Sequence, residues 1–348
     1  MSKQSLKVVC SGTGYFSQFH YDAWSRLSNV NIVGVCNRTK KAADEFAEKY
    51  AIPHSCDNLE SLLMLTKPDL VDIITPPATH LTAVKIAARL GIDVICQKPF
   101  GETLEVAKQM VKIAEEAGIK LIVHENFRFM PWYRKIKQVL DSGSLGDVLN
   151  AEFRLRTGDG QGPEAYLSRQ PYFQHMPKFL VHETAIHFID TFRYLFGEPK
   201  SVYADLRRCN DNIQGEDAGI ILFDFGNNMR AIFDGNRLLD HATTNPRRTM
   251  GEMKISGTKG ELSLDGEARI WLRGFTEHKA SELAYQWNDQ NFGGDCVFNT
   301  IEHILQHYLT AQPIENTGKE YLANIRLEEA VYQSSFEARK IPLQSQTT

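Results

Sequence analysis

The first third of the chain alternates short β-branched runs with stretches whose apolar residues recur at helical spacing, the pattern of a parallel sheet covered on both faces. The first run begins at Leu6, ends in Gly12-x-Gly14 and opens a helix near Tyr15. Asn31–Cys36 predicts the second strand, and the spacing of Ala42, Ala43, Phe46 and Ala47 predicts a helix over Thr39–Tyr50. A short helix around Leu59–Leu65 then leads to a strand at Leu70–Ile74. Helix Ala78–Leu90, strand Ile92–Cys96, helix Leu104–Ala117 and strand Ile119–Val123 follow, with Gly91 and Gly118 where helix C-caps belong. From Trp132 the pattern changes to a helix through Leu140, breaks at Gly143 and Gly146, and an alternating strand over Val148–Thr157. Further strands are expected at Ser201–Arg208, Ala218–Phe225, Met229–Phe233, Met250–Ser256, Glu261–Leu264 and Arg269–Leu272, before two helices at about Asp295–Ala311 and Lys319–Ala338. This is the layout of an α/β chain. A doubly wound parallel sheet is expected over residues 1–125, and over 126–348 an α+β domain with a large, mainly antiparallel open sheet. Helices should cover one face of that sheet and leave the other to pair with a second subunit.

A length of 348 residues supports two such cores. A formal charge of -4 without a long basic run argues against nucleic acid, because phosphate binding needs clustered Lys and Arg. No apolar segment approaches a membrane span, and Met-Ser-Lys-Gln-Ser-Leu-Lys carries no signal-peptide apolar region, so a cytoplasmic protein is expected. The six cysteines are scattered without C-x-x-C pairs and read as buried thiols.

Candidate chemistry sits at the ends of the predicted parallel strands. Gly12 permits a tight turn, and Gly14 lacks the Cβ that would hold a pyrophosphate off the backbone. The helix opening at Tyr15 and Phe16 offers free N–H groups and a positive dipole end. Ser17 stands where the dinucleotide pattern has Gly or Ala, and is small enough to keep helix and strand close. After the second strand, Asn37 is placed to hold the adenosine ribose, and Arg38 to stack on adenine or meet a 2′-phosphate. NAD and NADP both remain open. Thr75, Pro76 and His80 belong to a turn that cannot continue its strand and should pass under the nicotinamide-side phosphate and ribose. Gln97-Lys98-Pro99 ends the fifth strand, where a flexible Lys is a poor choice unless its charge is used, and where Pro allows a cis bond.

Gly12-Thr-Gly14, Gln97-Lys98-Pro99 and a later His in a helix together resemble the Gfo/Idh/MocA family of oxidoreductases over almost the whole chain. The family's tripeptide is Glu-Lys-Pro, so Gln97 is a departure that removes a carboxylate beside the nicotinamide ribose and keeps hydrogen-bonding capacity. His124-Glu-Asn126-Phe-Arg128-Phe-Met-Pro131 is similar to the family's crossover between domains, which implies that Asn126 approaches the cofactor. The resemblance implies a Rossmann domain and an NAD- or NADP-dependent dehydrogenase, with NAD favoured by analogy with catabolic sugar oxidation.

In the second half, Glu183, His187 and Asp190 fall at i, i+4 and i+7, so a continuous α-helix would carry them on one face as a general base with carboxylates to orient it. His182-Glu183 and His187 invite a zinc reading. Five residues apart on an α-helix, the two imidazoles diverge by about 140°, and no metal is expected. In the expected mechanism His187 takes the proton of a sugar hydroxyl while Lys98 stabilises the developing alkoxide. Arg156, Asn236, Asp159 and Arg169, with the long loop 158–178, are expected to line a pocket for a small sugar or polyol. Within the family this fits an aldose oxidised at C1 to its lactone, with a pentose such as apiose a candidate. Oxidation of an inositol or keto sugar, NAD-dependent glycoside hydrolysis and dinucleotide-binding regulation are the alternatives. A homodimer or homotetramer formed through the C-terminal sheet is expected.

Overall fold

The computed structural model describes residues 5–343. In chain order the elements are β1 (Leu6–Ser11), α1 (Ser17–Ser25), β2 (Val30–Cys36), α2 (Lys40–Lys49), β3 (Ser55–Cys56), α3 (Leu59–Thr66), β4 (Leu70–Ile73), α4 (His80–Arg89), β5 (Asp93–Gln97), α5 (Leu104–Ala117) and β6 (Leu121–His124). Then follow α6 (Pro131–Asp141), β7 (Val148–Leu155), α7 (Ile186–Phe196), β8 (Ser201–Arg207), β9 (Ala218–Gly226), β10 (Met229–Asn236), β11 (Gly251–Gly257), β12 (Gly260–Leu264) and β13 (Ile270–Gly274). The two-residue β14 (Ser281–Glu282), α8 (Cys296–Thr310), α9 (Gly318–Glu337) and β15 (Ile341–Pro342) complete the chain.

The first unit holds a six-stranded parallel sheet in the order β3-β2-β1-β4-β5-β6. Its central strands β1, β4 and β5 are largely buried on both faces, as their apolar runs require. Local signals fix the helix ends: Thr103 accepts the Val106 N–H at the start of α5, and Gly118 closes it in the left-handed region at φ 67°. The strand order reverses between β1 and β4, which puts a topological switch point beside Gly12.

The expected division at 125/126 is incomplete. The first compact unit comprises the described residues to Asn126 together with Cys296–Ala323, and the second comprises Phe127–Asp295 and the described residues from Asn324. The physical reason is that α8 packs against α1, with the Arg26 guanidinium 4.1 Å from the centre of the Phe298 ring, while Thr317 bridges Ile122 and Asn316 Nδ2 donates to the Glu125 carbonyl. An amphipathic helix advertises an apolar face and not the surface it will meet.

The second unit holds a nine-stranded sheet, β14-β13-β12-β11-β7-β10-β9-β8-β15, antiparallel except for the parallel β7–β10 pair at its centre. Helix α7 covers one face: Phe188 stacks on Phe153 at 3.9 Å, and Phe192 meets Phe223 edge-on. Each buried aromatic of this kind contributes about 2–3 kcal/mol of apolar burial. Tyr203 and Ile220 on β8 and β9 remain more than a third exposed.

Two further expectations change. Residues Leu180–Ala185 wind as a π-helix, and the α-helix begins only at Ile186. Of the cysteines, Cys10, Cys36, Cys96 and Cys296 are buried as expected, but Cys56 is half-buried and Cys209 exposed. No helix among the described residues is long and apolar enough to cross a membrane.

Candidate active site

The ends of β1, β2, β4 and β5 bring Gly12, Gly14, Asn37, Thr75, Pro76 and Lys98 to one edge of the parallel sheet. Gly12 has φ 118°, and a Cβ there would lie 2.9 Å from the Ile74 carbonyl carbon and 3.2 Å from the Thr75 nitrogen, so only Gly fits between the two strand ends. Gly14 is the opposite case. Its missing Cβ faces open space, with nothing within 4 Å, just before the N-terminus of α1. Ser17 is buried and donates its hydroxyl to the Gly14 carbonyl at 2.6 Å, which keeps the helix start against the turn. This hollow, bounded by backbone and a helix N-terminus, fits a pyrophosphate. Tyr15 is exposed beside it, and Phe16 is half-buried in the N-cap position, so α1 starts two residues later than expected.

Asn37 donates to the Thr39 hydroxyl at 3.2 Å, and Arg38 is exposed. Thr75 and Thr79 share a hydroxyl hydrogen bond of 2.6 Å. His80 is fully buried, and its Nε2–H donates to the Thr75 carbonyl at 2.7 Å, so it shapes the turn from within. Burial lowers its pKa from 6.5 to about 4, against the opposing pull of that backbone bond. A neutral native His means that the unfolded chain takes up the proton first, so this stability is intact above pH 6.5 and is lost as pH falls from there to about 4. Between pH 7 and pH 5 the expected loss is about 2 kcal/mol. Urea unfolding at both pH values should show it, and His80→Gln, which keeps an N–H for Thr75 and does not titrate, should flatten that difference.

Lys98 is half-buried and joined to Pro99 by a cis peptide. Gln97 is turned inward: its Oε1 accepts the Lys98 backbone N–H at 2.7 Å, and its Nε2 lies 3.0 Å from His20 Nε2. Asn126 is buried where the first unit's opening segment ends. Asp72, in the middle of β4, accepts from His20 Nδ1 and Trp24 Nε1, both at 2.8 Å. Burial acts to raise the Asp72 pKa, but the His20 contact outweighs it and the group is held below the usual carboxylate range. Asp72 and His20 were not singled out from sequence. The available signal was a carboxylate inside an apolar strand, which burial does not tolerate without donors.

In the second unit, His187 is 5% exposed and lies flat on Phe127, with ring centres 3.9 Å apart and planes 4° apart. Asp190 is fully buried, its Oδ2 accepting from Arg128 Nε at 2.7 Å and its Oδ1 from Arg128 Nη2 and Asn324 Nδ2. That bidentate fork ties α7 to the turn at 127–129 and to α9. Glu183 stands apart from Asp190 in the winding, because the π-helical segment breaks the expected i, i+4, i+7 face, and residues 186–192 of α7 are all buried. Glu183 Oε2 accepts from the Thr184 hydroxyl at 2.8 Å and lies 3.8 Å from Arg237 Nη1.

Arg237, 2% exposed, is the hub of loop 158–178. It donates to Tyr166 Oη at 2.8 Å, to Thr184 Oγ1 at 2.7 Å and to Asp159 Oδ2 at 3.2 Å, with its guanidinium 4.8 Å from the Phe179 ring centre. Arg169 also donates to Asp159 Oδ2, at 3.2 Å. Burial alone would raise the Asp159 pKa, but the Arg237 charge reverses that and lowers it. Arg156 is buried and tied by its guanidinium to the Asp234 carbonyl and carboxylate, while Asn236 accepts the Leu238 N–H. The divergence of about 140° expected of His182 and His187 on an α-helix does not hold where the chain winds as a π-helix. His182 is instead bonded to Glu328 at 2.6 Å, and among the described residues no group of three or more His, Cys, Asp or Glu side chains is arranged to hold a metal.

Residues 6–125 match the model of the oxidoreductase family with an NAD-binding Rossmann fold, and residues 133–263 match the GFO/IDH/MocA C-terminal domain. The chain belongs to the Gfo/Idh/MocA oxidoreductase family. The match joins the Gly12–Gly14 hollow to a family NAD-binding domain, and this member is an oxidoreductase. Among the curated members, D-apiose dehydrogenase of Rhizobium rhizogenes is 28% identical over 99% of both chains. Inositol 2-dehydrogenase of Rhizobium meliloti is 23% identical over 95% of this chain and 97% of its own. A crystal structure of an Agrobacterium radiobacter oxidoreductase, in complex with NAD+, L-tartaric acid and magnesium, is 28% identical and superposes with a TM-score of 0.87 over 97% of this chain and 98% of its own.

Proposed function

We propose that this family member oxidises a hydroxyl of a small sugar or polyol, most simply an aldose at C1 to its lactone, with a pentose such as apiose as the leading candidate. The observation that carries the reading is His187, a buried imidazole held flat against Phe127 and therefore fixed in orientation as a general base must be. Similarity to a D-apiose dehydrogenase over 99% of both chains supports the substrate class.

The nicotinamide ring, when bound, supplies a hydride acceptor for the carbinol carbon. Gly12, Gly14 and the α1 N-terminus would hold the pyrophosphate, and Asn37 and Thr75 the flanking riboses. His187 takes the hydroxyl proton, and the Lys98 ammonium hydrogen-bonds the same oxygen as alkoxide charge develops. Of the two carboxylates, Asp190 serves Arg128 and Asn324, which leaves Glu183, its side chain 21% exposed, as the candidate to orient imidazole or substrate. Arg156 and Asn236 shape the sugar pocket, and assembly through the open face of the nine-stranded sheet gives a homodimer or homotetramer. NAD is the favoured dinucleotide, with Arg38 available to a 2′-phosphate.

The test is a panel of free aldoses, polyols and glycosides with NAD and NADP, read as absorbance of the reduced nicotinamide. Net reduction with a free pentose is the expected result. Release of sugar from a glycoside without net reduction would overturn the reading in favour of a hydrolase. A second reading, oxidation of a ring secondary alcohol, has the inositol dehydrogenase similarity behind it and would show as reduction with inositols alone.

A further inference from the structure

Four side chains form a buried chain that ends on the backbone of Lys98. Asp72 and His20 are both fully buried, and Gln97 is 8% exposed. Asp72 Oδ2 also receives the Trp24 indole N–H, and as a carboxylate it can only accept, so the facing His20 Nδ1 carries a proton. His20 Nε2 lies 3.0 Å from Gln97 Nε2, and in the Nδ1–H tautomer it meets an amide N–H there with its lone pair. At the other end, the Lys98 backbone N–H can only donate, and Gln97 Oε1 receives it at 2.7 Å. A flipped Gln97 would set its NH2 against the Lys98 N–H and its oxygen against a lone pair, two mismatches in a buried site. With the Nδ1–H tautomer of His20, both ends of the chain require the same amide orientation, the one that grips Lys98.

We propose that Asp72 and His20 are positioning residues for Lys98, acting through Gln97. The catalytic consequence rests on the role given to Lys98 above, whereas the grip on its backbone does not. The chain also gives the departure at position 97 a physical reading. A Glu there would need a donor at both oxygens, and this His20 tautomer offers only a lone pair; Gln meets one donor and one acceptor.

The test separates these layers. Gln97-Lys98 is the one Gln-Lys dipeptide in the sequence, so labelling Gln carbonyl carbons and Lys amide nitrogens isolates the Lys98 amide in a single NMR signal. His20→Asn keeps a donor for Asp72 and loses the reach to Gln97. It should move the Lys98 amide proton upfield, although position 20 does not touch that amide, and lower kcat about tenfold. Trp24→Phe, which removes the other donor to the same Asp72 oxygen, should leave the signal in place. In a Gln97→Leu background, where the link is already cut, His20→Asn should lower kcat no further. An unmoved amide signal in His20→Asn, or losses that multiply in the double variant, would overturn the proposal. His20→Phe carries the same readouts if the Asn variant does not fold. Near-normal turnover in Lys98→Ala would defeat the catalytic reading alone, because the amide signal reports the chain whether or not Lys98 is catalytic.

Discussion

Lys98→Ala is expected to lower kcat by about 10²-fold or more while dinucleotide affinity changes little. The ammonium interacts most strongly when the substrate oxygen becomes an alkoxide, so its loss falls on the transition state and not on the ground-state complex. The backbone grip on this position passes through Gln97 Oε1 and survives the truncation, so a folding defect should not mimic the effect. Steady-state kinetics with a dinucleotide titration checks both halves, and near-normal turnover would remove Lys98 from the chemistry.

His187→Asn should cost about 10²- to 10⁴-fold in kcat. Oxidation needs a neutral imidazole to accept the proton, so activity should rise with pH. Asn keeps a hydrogen bond but cannot accept that proton, and the rising limb should flatten. His182→Asn is the paired control. The His182 ring is bonded to Glu328 while its backbone N–H donates to the Tyr332 hydroxyl, so loss of the imidazole should lower stability and leave the pH profile intact. If the limb survives in His187→Asn, or if both variants lose activity in step with stability, the base lies elsewhere.

The parallel sheet was legible because its signals are local. The β-branched runs fixed the strands, and Thr103 and Gly118 bracket α5 at the residues its sequence predicts. The π-helix at 180–185 was not legible, because the segment is anchored from elsewhere in the chain. Glu216 Oε1 accepts the backbone N–H groups of Phe179 and Val181, and the Glu216 carbonyl accepts that of Leu180, so a residue some 35 positions away holds the start of the segment that carries Glu183. Periodicity could place His187 on a helix, but the stack on Phe127 depends on the turn at 127–129, and the fork from Arg128 to Asp190 depends on it too. Position after a strand and in a loop marks Arg156 and Asp159 as polar candidates for the pocket but does not reveal which neighbours hold them. The structure shows both already bonded to neighbours, a matter of tertiary partners that spacing does not encode.

An aldopentose deuterated at C1, turned over with the dinucleotide this chain prefers, reports whether the hydride leaves that carbon for the nicotinamide. The reduced nicotinamide is expected to carry the deuterium, and its formation to be slowed relative to the unlabelled sugar. Reduced nicotinamide without deuterium would place the oxidised hydroxyl on another carbon, and no net reduction at all would contradict the assignment of this site to dehydrogenation.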